Sequence, residues 1–296
     1  MPFGLKNAPT EFQKLMGKLK ADIGDNIQIY MDDILIGSDT ATDGLSKLKK
    51  TFDALRRFNL TLNLKKCSFM QQHVNYLGHQ ILPEGICPGE YKTNAVSDFK
   101  QPTNVKETRQ FLGLCGYFRK FVQDFSIIAA PLTKLLKKDD IFCWTKDQEK
   151  GFLELKKALI NKPLLTIYKM NANHEVHTDA SSIGLAGILM QQDDKLLKPV
   201  AYYSRTTSAS EAKFHSYELE TLAIVESLER FKYYLLGKTF KVVNDCASLK
   251  TTMTKKELIP RIARWWLRLQ DFDFKLEHRS GNRMAHVDAL SRRPAE

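Results

Sequence analysis

The sequence lacks the features that mark several large protein classes. It has no internal repeat and no low-complexity tract, which argues against a solenoid or a long disordered linker. Its five cysteines, Cys67, Cys87, Cys115, Cys143 and Cys246, are odd in number, scattered and never spaced CxxC. That spacing argues against a zinc site or a disulfide scaffold and fits a reducing compartment. No signal peptide is recognisable, and no apolar run approaches the roughly 18 residues that a membrane span needs. The expected setting is therefore intracellular and cytoplasmic, with no membrane partner.

What remains is a chain of 296 residues, 43% hydrophobic and 27% charged. That length suits two or three domains of about 100–150 residues each. Lysine and arginine number 45 against 34 acids, a net charge of +11. Such a surplus favours a polyanionic partner, because basic side chains release counterions from phosphates. The chain opens at once on MPFGLKNAPTEFQ and closes on LSRRPAE just after a short helix-like segment, so both ends are expected to be interior to something longer.

Patterning divides the chain in three. In the first part, Asn7-Ala8-Pro9-Thr10 reads as a helix start, with Phe12, Leu15, Met16 and Leu19 at helical spacing behind it. IQIYMDDILIGS reads as a hairpin with Asp32 and Asp33 at its tip, 42–59 as a helix, 74–81 as a strand, and 83–89 as a Pro/Gly-rich loop. Residues 92–160 are basic and mostly helical: Phe111, Leu114, Cys115, Phe118 and Val122 line one helical face, and Phe152, Leu155 and Leu159 another. From about 170 the period switches. HEVHTDAS, GLAGILMQQ and KPVAYYSRT are strands, 208–236 a long helix, FKVVND a strand, 256–271 a helix with Trp265-Trp266, DFKLEHR a strand and 285–292 a last helix. The order βββαβαβα predicts a mixed five-stranded sheet with helices on its faces, an α/β (α+β) architecture.

Four acids in this last part fall where strands and helices could aim them at one place: Asp179 in the first strand, Glu220 in the long helix, Asp245 at the end of the fourth strand and Asp288 in the last helix. Glu220 shares its helical stripe with Ile224, Leu228, Phe231 and Leu235, the apolar face; Glu218, the alternative, lies on a more mixed face with Leu222, Val225, Glu229 and Lys232. A carboxylate on a buried stripe is costly unless it is paired or holds a metal. Crowded carboxylates repel, and divalent cations reverse that repulsion: Mg²⁺ takes hard oxygen ligands, and two ions about 3.5–4 Å apart can clamp a phosphodiester. Taken singly, each acid could equally be a turn or cap residue.

In combination these segments resemble a known family. HTDASSIGLAGILMQQ, PVAYYSR, YELETLAIVESLERFKYYLLG, FKVVND and GNRMAHVDALSR are similar to the ribonuclease H domain of gypsy-type long-terminal-repeat retrotransposons, across about 170–293. The resemblance implies an acidic quartet at Asp179, Glu220, Asp245 and Asp288. This chain has Asn244-Asp245-Cys246 where the family more often shows Thr-Asp-His, and His286 where many members differ.

The first part resembles the same family's reverse transcriptase palm. Pro2-Phe3-Gly4-Leu5 with Asn7-Ala8-Pro9 and Phe12-Gln13 matches motif B, which places Phe3 nearest the nucleotide. Tyr30-Met31-Asp32-Asp33 matches the metal-binding motif C, Asn63-Leu64-Lys65-Lys66-Cys67 resembles motif D, and Tyr76-Leu77-Gly78-His79 resembles the primer grip. QFLGLCGYFRKFV and FCWTKDQEKGFLELKKAL look like thumb and connection, with basic and aromatic residues around 109–122 and 134–138 suited to a backbone-tracking groove. The resemblance thus implies palm at 1–90, thumb and connection at 91–169 and a ribonuclease H-like domain at 170–296. It implies two Mg²⁺ ions (or Mn²⁺) per active site. Its partners would be an RNA–DNA hybrid, an RNA template with a DNA primer, and the remainder of a Pol polyprotein, inside a virus-like particle in an active element. It assigns no oligomeric state.

The leading expectation is metal-dependent cleavage of RNA in RNA–DNA hybrids, with the 2′-hydroxyl telling RNA from DNA. The alternative is a catalytically silent nucleic-acid-binding remnant. An integrase or protease region is set aside, since there is no His/Cys zinc pattern and neither Asp-Thr-Gly nor Asp-Ser-Gly occurs. Polymerases of this family need a further Asp, in motif A ahead of motif B, and Asp32 and Asp33 without it should hold metal weakly. The isolated chain is therefore expected to show no primer extension on an RNA template; robust synthesis in that assay overturns this reading.

Overall fold

The computed structural model of the protein describes residues 4–24, 27–137, 141–194, 196–246 and 259–279. The chain divides into two compact units, Met1–Pro83 and Glu84–Glu296.

In the first unit, α1 (Ala8–Ile23) carries a proline in its first turn, where the missing N–H has no helical partner to lose. A hairpin follows, β1 (Ile27–Tyr30) and β2 (Asp33–Ile36), paired from Ile27↔Ile36 to Tyr30↔Asp33. Then comes α2 (Ala41–Arg57), capped by the Thr40 hydroxyl, which accepts from the Asp43 amide at 3.2 Å. Met16, Leu19, Ala54 and Leu55 are buried together, with Phe12, Ile29, Ile34 and Phe58 packed against them. The alternation in α1 and the hairpin thus does bury one side of each element. Segment 74–81, expected as one strand, is instead two: β3 (Val74–Tyr76) and β4 (His79–Leu82) run antiparallel. They turn through Leu77 and Gly78, whose φ angles of 49° and 72° are those of a two-residue hairpin turn. Glycine accepts that conformation freely, which favours the break at this point.

The second unit begins with β5 (Gly85–Pro88), inside a stretch expected to be loop. Ile86 exchanges backbone hydrogen bonds with Leu165 at 2.8 and 2.9 Å. Four helices follow: α3 (Glu90–Ser97), α4 (Val105–Tyr117), α5 (Phe125–Lys134) and α6 (Lys146–Ile160). Asn104 caps α4 through the Glu107 amide, and Thr145 with Gln148 forms a capping box on α6. Phe111, Cys115, Phe118 and Val122 are all buried and Leu114 is partly so, but they do not share one helix. Helix α4 stops at Tyr117, and a 3₁₀ turn (Arg119–Phe121) redirects the chain while keeping Phe118 and Val122 inside. They pack with Leu132, Phe152, Leu155 and Leu159, each such burial stabilising the fold by roughly 1.5–3 kcal/mol. Helix α5 has no counterpart in the sequence reading. It is apolar almost all round and contains Pro131, so no polar face marks its period.

The C-terminal sheet consists of β6 (His174–Ala180), β7 (Gly184–Asp193), β8 (Leu196–Thr206), β9 (Thr239–Asn244) and β10 (Asp273–His278) in spatial order β10-β9-β6-β7-β8. β6 pairs antiparallel with β7, and β7 with β8; β9 lies parallel to both β6 and β10. This is the mixed five-stranded sheet expected. Successive residues of β8 face opposite ways. The Tyr203 ring meets Phe231 of α7 (Ser216–Leu235), whereas Tyr202 packs against the core of the four helices. Helix α7 therefore covers one face of the sheet, and on the other the helical layer packs on β8, whose Ser204 is tied to it by Arg119 (2.6 Å) and the Ser126 amide (3.1 Å).

Helix α7 is shorter than the expected 208–236. The Glu211 carboxylate accepts from Arg205 at 2.7 and 2.9 Å and from the Ser208 amide at 2.8 Å, which closes a separate turn before the helix. His215 and Glu218 then form the capping box that starts α7. The helix lies close on the sheet at Gly187, where a Cβ would stand 2.2 Å from the Ser227 hydroxyl. Helix α8 (Pro260–Arg268) occupies part of the expected 256–271. The expected helix at 285–292 lies outside the described residues, as do Asp288 and Phe3. No helix among the described residues is long and apolar enough to cross a membrane.

Candidate metal centre

β6 and β9 are parallel neighbours, so their C-terminal ends open on the same edge of the sheet. His177 is level with Val243; two residues further along each strand stand Asp179 and Asp245. Glu220 reaches the same place from the second turn of α7, whose start is set by the capping box at His215. One carboxylate oxygen from each of Asp179, Glu220 and Asp245 lies within 4.8 Å of the others. Among the described residues this is the one such group of three or more His, Cys, Asp or Glu side chains.

Burial sets the electrostatics. Asp179 is 3% exposed and Glu220 5%. Burial, and then the charge of Asp179, push the Glu220 carboxyl up to about 8. Asp245 adds to the rise, and hydrogen bonds from Asn244 and the Ala180 amide oppose it. Three hard oxygen donors crowded this closely, one of them driven toward its protonated form by burial and then by its neighbours' charge, make a donor set that fits a divalent cation such as Mg²⁺ or Mn²⁺. A cation removes the repulsion that raises Glu220.

The alternative acid, Glu218, is engaged elsewhere. Its carboxylate accepts from the His215 amide at 3.1 Å and from Arg261 at 2.9 Å. Helix capping and an ion pair account for it, and the structure brings Glu220 to Asp179 and Asp245.

One residue of this centre was not singled out as functional by the sequence reading. Asn244, 1% exposed, donates through Nδ2 to Glu220 Oε2 at 2.9 Å and to Thr178 Oγ1 and O at 3.1 and 3.2 Å. Its Oδ1 accepts from the Cys246 amide at 2.7 Å. The only sequence signal was the departure Asn244-Asp245-Cys246. The turn that carries Asp245 is held from its other side too, by the Arg279 amide on Asn244 O at 3.0 Å and by His278 beside Asp245 O at 3.0 Å.

In the first unit, Tyr30 pairs with Asp33 to close the hairpin, and Met31 (φ 51°) and Asp32 form its tip. The Met31 amide donates to Gln13 Oε1 at 3.1 Å, so α1 holds the tip in place. Asp32 and Asp33 are exposed. Tyr76 lies near Asp33: burial, and then the Asp33 charge, push its hydroxyl up. Gly78 sits in the turn that follows β3. Lys65 is exposed on a short 3₁₀ turn capped by Asn63. The hairpin acids and Tyr76 are thus gathered on one side of this unit's motifs, and no third acid joins them among the described residues.

A carboxyl held above its unfolded value contributes stability that is present at low pH and lost as pH rises through the folded value. For Glu220 that loss runs from the ordinary carboxylate range to about 8. Without added metal, Glu220→Gln should therefore be more stable than the parent at pH 9, by about 1 kcal/mol or more, and equal to it near pH 4. Thermal unfolding at the two pH values checks this, and an equal or lower stability of the variant at pH 9 contradicts it.

Comparison with known proteins finds relatives for both parts of the chain. Residues 1–81 match the family model for reverse transcriptase (RNA-dependent DNA polymerase), and 144–242 that for the RNase H-like domain found in reverse transcriptase. The chain is 36% identical over 294 residues to the retrovirus-related Pol polyprotein from transposon 297 of Drosophila melanogaster, a match covering 99% of this chain and 27% of that polyprotein. It is 35% identical over 298 residues to the transposon Tf2-3 polyprotein of Schizosaccharomyces pombe, covering 99% of this chain and 22% of the relative. The chain thus spans about a quarter of the length of these relatives. Among solved structures, a foamy viral protease-reverse transcriptase in complex with RNA/DNA hybrid has the same fold, with TM-score 0.83, 24% identity and coverage of 100% of this chain and 40% of that one. The foamy viral protein in complex with dsDNA matches at TM-score 0.82 and 25% identity, over 95% of this chain and 60% of that one. The chain is thus similar along its length to a stretch of retrotransposon Pol polyproteins, with a reverse transcriptase match followed by an RNase H-like match.

Proposed function

We propose that the C-terminal part, 170–296, cleaves the RNA strand of RNA–DNA hybrids, with Asp179, Glu220, Asp245 and Asp288 as the ligands of two Mg²⁺ ions, for which Mn²⁺ can substitute. The observation that carries this reading is the meeting of Asp179, Glu220 and Asp245 within 4.8 Å at the end of two parallel strands. Asp288 is assigned by its place in GNRMAHVDALSR and lies outside the described residues. Bound there, the ions would supply Lewis acidity at the scissile phosphate. Asp179 and Asp245 would hold the charge that attracts them, and Glu220 would give up its proton on becoming a ligand. Nothing nucleophilic is asked of a side chain. The chain's net charge of +11 suits a nucleic-acid duplex.

The gypsy-type assignment rests on the run of motifs from HTDASSIGLAGILMQQ to GNRMAHVDALSR. In the complete polyprotein, 1–90 would serve as the second half of a polymerase palm. Asp32 and Asp33 would hold metal there, and Phe3, Tyr30, Met31, Lys65, Tyr76 and Gly78 would meet nucleotide, template and primer. Residues 91–169 would follow the duplex as thumb and connection. The work would be done in the cytoplasm, within the element's particle.

The test is hybrid cleavage by the isolated chain with Mg²⁺, beside Asp179→Asn. The reading expects RNA cleavage by the parent and a loss of about 100-fold or more in the variant, with hybrid binding retained. Binding without cleavage by the parent itself would instead support the silent nucleic-acid-binding remnant.

A further inference from the structure

We propose that Asn244 is the positioning residue of the metal centre, a single buried amide that sets where the three carboxylates point. The proposal rests on the metal-centre reading above and adds to it a residue that supplies no ligand atom. Asn244 touches the approach to each carboxylate. Through Nδ2 it donates to Glu220 itself at 2.9 Å. Through the same nitrogen it holds Thr178, the residue before Asp179, at 3.1 and 3.2 Å. Through Oδ1 it accepts from the amide of Cys246, the residue after Asp245, at 2.7 Å. β6, α7 and the turn after β9 are therefore linked through one side chain that is 1% exposed.

Few side chains can do this. The amide offers two N–H donors and one acceptor, and all are used here, the two Thr178 oxygens sharing one hydrogen. Leucine would leave the Thr178 hydroxyl, Glu220 Oε2 and the Cys246 amide without this partner, and a buried polar group that loses a partner is destabilising. Aspartate would turn a fourth charged oxygen toward Glu220. Threonine has one hydroxyl hydrogen, so it could serve Glu220 or Thr178 but not both. Partners of this kind, one bond removed from a metal, commonly change its affinity by about 10–100-fold.

Mn²⁺ binding to the whole, metal-stripped chain, followed by the spin resonance of free Mn²⁺, tests this without reference to activity. Asn244→Ala should raise the Mn²⁺ dissociation constant by about 10-fold or more, and Asn244→Thr, which keeps one donor, should fall between Ala and the parent. Should the Ala variant fail to fold, judged by far-ultraviolet circular dichroism, the comparison of Asn244→Thr with the parent decides. Weaker Mn²⁺ binding at an unchanged spectrum supports the positioning role, and unchanged affinity overturns it. A role confined to stability would lower the melting temperature and leave Mn²⁺ affinity alone, which also overturns the proposal. Asp179→Asn separates the two layers of the argument. If it binds Mn²⁺ as tightly as the parent, the metal centre itself is wrong. If it loses binding while both Asn244 variants keep theirs, only the role of Asn244 falls.

Discussion

Mutual repulsion among buried carboxylates is the constraint around which the C-terminal sheet is arranged. Asp179, Glu220 and Asp245 come from a strand, a helix and a turn, and their charges would drive those elements apart in a low-dielectric setting. Several features hold those elements together. Gly187 lets α7 lie against β7 closely enough for Ser227 to occupy the space of a side chain. The capping box at His215 and Glu218 sets where α7 begins and hence which residue of its second turn faces the strands. Asn244 and the Ala180 amide bring donors to the most strongly perturbed acid. Such a cluster is costly for stability on its own, and a divalent cation is the species that turns the repulsion into binding.

Much of this centre could be read from the sequence because its acids lie on elements with strong patterns. Asp179 sits in HEVHTDAS, the first of three strand-like runs separated by short turns, and Glu220 is the acid on the helical stripe of Ile224, Leu228, Phe231 and Leu235. Asn244 could not be read in this way. Its partners lie 24 and 66 residues away, and no local pattern marks a residue whose value is in bonds across the fold. The same limit explains the errors of secondary structure. VNYLGHQI carries strand-forming residues on both sides of Leu77-Gly78, so a two-residue turn looks like strand. Ser208 to Glu211 are compatible with a helix, and only the Arg205–Glu211 ion pair, formed from a neighbouring strand, sets them apart as a turn. Helix α5 was hidden because it is apolar on every side.

The first unit presents a different case. Its hairpin has the geometry that the sequence implied, with Asp32 at the tip and Asp33 opening β2, and Gln13 of α1 steadies the turn. Yet the two acids stand exposed and without a third carboxylate among the described residues. Exposed to water, they lack the crowding and burial of the C-terminal cluster. The contrast between the two units is one of electrostatics: the same residue types, adjacent in sequence on an exposed hairpin in one case, converge in a buried corner in the other.

The most direct test is diffraction from crystals of the chain soaked in Mn²⁺, with anomalous data collected to locate the ion. The account predicts an anomalous peak about 2.0–2.3 Å from carboxylate oxygens of Asp179, Glu220 and Asp245 together. Ordered carboxylates at that corner with no peak between them, or Mn²⁺ bound only at other sites, would contradict it.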